Sequence, residues 1–272
     1  MLSPKAQQLI HDYRNLPFAG INGVRCPYIN NARLRQRGQL RVLVGKGLPS
    51  EIVEEAHIIS VQFHAGLFEK DGRCCLHNKH TGEPTNAEDI RKFLIEHHLG
   101  IECSGFVTHV LRAHYRETKN IDIVKKLSIV PPRRIVRWLI SKLRPVENMD
   151  VQVYTNDRNS LVIANAKTGW NYHAVEPGDI ITLREAGPRK NRNHILLITE
   201  NSGNTLSYIH ARQWPSEGRW GHGVAAGIIT ISNPEKPLAE QHWEENGVVG
   251  PLNETQQEIA SANTVEIRRL RI

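Results

Sequence analysis

Residues 177–214 read PGDIITLREAGPRKNRNHILLITENSGNTLSYIHARQW. The run from Ile180 to Leu183 has the apolar, β-branched character of a strand. After a basic loop, His194 opens a second strand, Ile195 to Thr199. Asn201 to Asn204 is a turn, Asn-Ser-Gly-Asn. A third strand, Leu206 to Ile209, ends at His210. Antiparallel pairing of the last two strands delivers both imidazoles to one end of a sheet. With 14 histidines in the chain, either one alone would read as an ordinary surface or core-edge residue.

A second stretch gives the pair a purpose. Residues 100–111 read GIECSGFVTHVL. Phe106, Val107, Val110 and Leu111 form the apolar face of a helix. Cys103 therefore falls at or just before a helix N-terminus. Unpaired backbone N–H groups and the helix dipole there favour a thiolate over a thiol. A nucleophilic cysteine needs a base, and the base needs an orienting group. A cysteine before a helix and histidines on paired strands say more together than any of them alone.

Together these segments resemble the NlpC-type cysteine peptidase family, a circularly permuted relative of the papain fold. That family carries an acidic residue and then Cys-Ser-Gly-Phe/Leu-Val, matched here by Glu102, Cys103, Ser104, Gly105, Phe106 and Val107. Its Pro-Gly-Asp entry to a strand is matched by Pro177, Gly178 and Asp179. His194 followed by Ile195 to Ile198 matches its base, and Ile209-His210-Ala211 its third catalytic residue. The resemblance covers mainly residues 100–116 and 175–232. It implies Cys103 as nucleophile, His194 as base and His210 as orienter. The Cys103 backbone N–H, with Ser104 and Glu102 nearby, would serve the oxyanion and substrate. No cofactor is implied.

The chain departs from the family in three places. Residues 117–174 lie where family members have a short connection, and the upstream Tyr-x-x-Gly-Gly element has no clear counterpart. Glu102 also stands where aspartate is common. The expected architecture is one α+β domain over residues 1–272. It has a papain-like NlpC-type core, in which the nucleophile helix packs on an antiparallel sheet. Residues 1–99 form an N-terminal helical extension, 100–116 the nucleophile helix, 117–174 an insertion, 175–232 the catalytic sheet and 233–272 a C-terminal extension.

Other elements follow from local signals. Leu2, Ala6, Leu9, Ile10 and Tyr13 suggest an amphipathic helix starting at Ser3-Pro4. Leu40 to Val44 reads as a strand. Pro49-Ser50 followed by acid opens a helix to about Phe63. Asn86 to His98 is a helix capped by Thr85 or Asn86. Arg133 to Leu143 is a helix carrying Arg133, Arg134, Arg137, Lys142 and Trp138, followed by a mainly β or loop stretch. Gly223 to Ser232 and Val265 to Ile272 are late strands, and HWEENG at 242–247 is expected to cap a short helix.

Composition suits a globular enzyme: 39% hydrophobic and 23% charged residues are not the balance of a disordered chain. No apolar run reaches the roughly 18–20 residues of a membrane span. The N-terminus lacks the order of a secretory signal. This points to the cytoplasm; action on the cell wall would require release by a leaderless route. The net charge of +7 favours anionic partners such as glycopeptides. Its basic clusters are 33–37, 133–134, 189–192 and 268–271. No nucleic-acid-binding signature is present. Of four cysteines, three remain if Cys103 is the nucleophile, and an odd remainder without a secretory signal argues against a disulfide framework. Cys74, Cys75, His77 and His80 could hold zinc, but their spacing fits an incidental loop better.

The chemistry expected is amide hydrolysis through a thioester, on a peptide or glycopeptide such as a peptidoglycan stem peptide. Two alternatives stay open. One is a Cys-His amidase, deconjugating peptidase or acyltransferase acting on a cytosolic substrate. The other is a non-catalytic binding protein on the same scaffold.

Overall fold

The computed structural model describes residues 1–30, 45–69, 71–75, 77, 82, 84–129 and 145–272. The strand expected at Leu40 to Val44 and the basic helix expected at Arg133 to Leu143 lie outside them. Two units divide the chain. The first holds residues 1–7, 103–210 and 225–272, and the second holds 8–102 and 211–224. Among the described residues no helix is long and apolar enough to cross a membrane.

The first unit is α+β, built on an eight-stranded antiparallel sheet, of which the last two residues of β4 and the first two of β5 fall in the second unit. Its strands are β1 (Ser160–Asn165), β2 (Ile180–Ala186), β3 (Arg192–Asn201), β4 (Thr205–Arg212), β5 (Gly223–Thr230), β6 (His242–Glu245), β7 (Val248–Val249) and β8 (Thr264–Leu270). Their order across the sheet is β1-β8-β2-β3-β4-β5-β6-β7. The meander β2-β3-β4 matches the three strands read from residues 177–214. Ile195, Leu196, Leu197 and Ile198 are all fully buried. A continuous apolar run of this kind belongs to a strand covered on both faces. One of those faces packs Leu196 and Ile198 with Ile181, Leu183, Leu206, Tyr208, Ile229, Trp243 and Ile267. Strand alternation puts His194 on the Leu196–Ile198 side of β3 and His210 on the Tyr208 side of β4.

Helix α1 (Pro4–Arg14) starts where Ser3-Pro4 predicts. Helices α2 (Pro49–Gln62) and α3 (Ala87–Glu96) belong to the second unit. The side chain of Asn86 caps α3 by accepting from the backbone of Glu88 and Asp89. Helix α4 (Cys103–Lys119) packs against β3. Its buried stripe of Phe106, Val107, Val110 and Leu111 has the i, i+3, i+4 spacing of one helical face. Each such side chain contributes about 1.5–3 kcal/mol through burial. Arg112 grips Asp122 with both arms, at 2.9 and 2.8 Å. Asp122 in turn caps the short helix α5 (Ile123–Lys126).

The stretch after residue 144, expected as mainly β or loop, also holds the short helix α6 (Val151–Thr155). Asp150 caps it by accepting from Val153 N–H at 3.0 Å. Part of the 117–174 segment is sheet: β1 pairs with β8, Ser160 opposite Leu270. One expectation is corrected: HWEENG caps no helix. His242–Glu245 is β6, and Asn246-Gly247 turns the chain into β7. Both turn residues have positive φ, 52° and 75°. That is the backbone of a two-residue hairpin for which Asn-Gly is the preferred sequence. Further on, α7 (Gly218–Gly221) lies in the second unit and α8 (Glu254–Ser261) in the first.

The basic run at 268–271 is largely neutralised from within. Arg268 is buried against Asp157, Glu266 at 2.6 Å and Ser160 at 2.8 Å. Arg269 forks onto Asp179 at 2.8 and 2.9 Å and reaches Glu176 at 3.0 Å. The charge read there as a field for anionic partners thus stitches β8 to its neighbours.

Candidate active site

Cys103 is the first residue of α4 and is buried, with 7% of its surface exposed. The segment before it belongs to the second unit. There the Glu102 N–H donates to Gly45 O at 2.9 Å. Glu102, expected near the substrate, has its carboxylate paired with the buried ammonium of Lys46. Ser104 is buried, and its carbonyl accepts from Thr108 Oγ1 at 2.6 Å. The Thr108 hydroxyl also meets the Tyr154 hydroxyl at 2.7 Å, which ties the first turns of α4 to α6.

The two histidines come together. His194 Nε2 and His210 Nδ1 are 2.7 Å apart, and their rings meet edge-on at 72°. His194 is the third residue of β3, opposite Leu183 on β2. His210 lies on β4 and is fully buried.

The chain of contacts continues to a residue not singled out from the sequence. His210 Nε2 lies 3.0 Å from Oε2 of Glu245 on β6. Glu245 is fully buried. The same oxygen accepts from the Tyr208 hydroxyl at 2.8 Å and from Thr255 Oγ1, on α8, at 3.1 Å. A buried carboxylate needs such donors, because an unpaired one would cost several kcal/mol. Tyr208 also stacks at a tilt on Trp243, ring centres 5.1 Å apart. Gly227 on β5 sits opposite Glu245. A Cβ there would come within 2.3 Å of the Tyr208 hydroxyl, so only glycine leaves a passage across β5. Asn246-Gly247 was the one signal that could have placed Glu245 on a strand.

Two of the other cysteines are held protonated by burial. Burial pushes the Cys26 thiol far above its ordinary value. Burial, with the neighbouring Cys75, pushes Cys74 up to about 11. Both are thiols at neutral pH. Cys74, Cys75 and His77 form no metal-holding group, and no such cluster of three occurs among the described residues. His80 lies outside them.

No family model, curated protein or solved structure matches the chain.

Proposed function

We propose that this protein is a cysteine hydrolase that cleaves an amide bond through a thioester. Cys103 is the nucleophile, His194 the base and His210 its orienting partner. The observation that carries this reading is the 2.7 Å hydrogen bond between His194 and His210, where His194 lies on β3, the strand against which the cysteine-led helix packs. A papain-like core is the arrangement that these parts suit.

Distances along the elements support the pairing of Cys103 with His194. The C-terminal half of α4 is anchored at the start of β2. His114 lies beside Gly178, and Tyr115 is within electrostatic reach of Asp179. Ile198 of β3 donates to Asp179 O, so it marks the same level. From there His194 is four residues back, about 13 Å at strand rise. Cys103 is eleven residues back from His114, about 16 Å at helix rise. An α4 that runs parallel to β3 from that level would bring nucleophile and base to similar heights.

The reaction then balances as follows. His194 takes the Cys103 proton, and the sulfur attacks the carbonyl carbon. The tetrahedral oxyanion takes hydrogen bonds from the Cys103 N–H and a neighbouring donor, each contributing about 3–4 kcal/mol. The C–N bond breaks as His194 protonates the leaving amine. Water, deprotonated by His194, hydrolyses the thioester, and the proton returns to the sulfur.

By resemblance, the substrate is a cell-wall stem peptide. Incubation with muropeptides and a general amide panel, read by mass spectrometry, tests reaction and substrate together. The reading predicts a cleaved amide and a trapped acyl-enzyme at Cys103. Amides left intact, with no adduct at Cys103, would overturn it.

A further inference from the structure

We infer that Glu245 is a positioning residue that acts through His210 to fix the tautomers of both imidazoles, making Nδ1 of His194 the basic nitrogen. The inference rests on the hydrolase reading for its purpose, but not for its geometry.

Tyr208, Thr255 and His210 all converge on Oε2 of Glu245, at 2.8, 3.1 and 3.0 Å. Convergence of donors on one oxygen suits an ionised carboxylate, which only accepts. His210 must then carry its proton on Nε2. A neutral imidazole with a proton on Nε2 has its lone pair on Nδ1. That Nδ1 is the atom 2.7 Å from His194 Nε2. His194 must therefore donate from Nε2, which leaves the lone pair of its neutral form on Nδ1. The direction of every bond follows from the charge at the far end.

The arrangement also suits the charged form of the base. When His194 takes a proton it gains an N–H at Nδ1 and keeps the one at Nε2. No proton has to move along the chain, and no bond in it reverses. The imidazolium is held through His210 against a buried negative charge. The sheet supplies the parts from separate strands: His194 from β3, His210 and Tyr208 from β4, Glu245 from β6. Gly227 on the intervening β5 lets the Tyr208 hydroxyl cross.

Ring-nitrogen NMR of the full chain with 15N-labelled histidine tests this, with signals assigned by single histidine substitutions. In Cys103→Ser no thiolate can hold His194 protonated. There His194 and His210, in their neutral forms, should each carry the proton on Nε2. A proton on Nδ1 of His210, or a doubly protonated His210, would overturn the inference. Glu245→Gln replaces an obligate acceptor by a group that can also donate. If it folds, His210 should no longer hold a single tautomer. Unchanged tautomers in a folded Glu245→Gln chain would also overturn the inference. The readout is proton position rather than turnover. An inactive protein with the assigned tautomers would count against the hydrolase reading alone.

Discussion

The hydroxyl of Tyr208 reaches over Gly227 to donate to Glu245 at 2.8 Å, joining two strands that are not neighbours in the sheet. The contact exists only because β5 has no side chain at that point. Gly227→Ala should therefore be far more damaging than its size suggests. The methyl would press on Tyr208 at 2.3 Å and on the Glu244 carbonyl at 2.6 Å. Overpacking of this kind costs about 1–3 kcal/mol. Denaturant midpoints will show it, with Ile228→Ala as the comparison, since Ile228 is a partly exposed neighbour. Equal midpoints for the two variants would mean that the crossing is not tight.

Cys103→Ser should abolish turnover while leaving the fold intact. The hydroxyl is close in size to the thiol, but it is a far weaker nucleophile. The expected loss is at least about 1,000-fold in kcat/KM, with the thermal midpoint moved little. Near-normal activity in that variant would remove the assignment of the nucleophile.

Stability should fall in mild acid, and His114 is one identifiable cause. Its Nδ1 accepts the Ser3 N–H at 3.1 Å, which requires a lone pair there. Burial, then the positive N-terminal amine and Lys119, hold its pKa below the ordinary histidine value. A depressed histidine pKa means that the unfolded chain takes up the proton first. Its contribution is therefore complete above pH about 6.5 and is lost as pH falls below it. His57 and His97 are also lowered by burial and add to the slope. Thermal midpoints between pH 7.5 and 5.5 should drop less steeply in His114→Gln than in the parent chain. Identical slopes would take His114 out of the account.

The parts legible in the sequence were those with a local signal. Alternating and continuous apolar runs gave the meander from Ile180 to His210, because strand period and turn residues are written within a few positions. The apolar face after Cys103 gave α4 its start. Glu245 was not legible in the same way. It is 35 residues from His210, and nothing local couples them. The Asn246-Gly247 hairpin signal was present, but its neighbours were read as a helix cap. Arg268 and Arg269 were read as surface charge for a related reason. Two of their carboxylate partners, Asp157 and Asp179, lie 111 and 90 residues away. Tertiary ion pairs leave no trace in composition.

The central claim is that Cys103 is a nucleophile activated by His194. It is tested most directly by the rate at which iodoacetamide alkylates Cys103 as a function of pH, followed by peptide mass spectrometry in the parent chain and in His194→Ala. An ordinary thiol reacts only as pH approaches about 8.5. The account predicts that Cys103 reacts rapidly near neutral pH, ahead of Cys26 and Cys74, whose thiols burial holds protonated. It also predicts that this reactivity falls at least tenfold in His194→Ala. A Cys103 that reacts only above pH 8 and is indifferent to the loss of His194 would contradict the account.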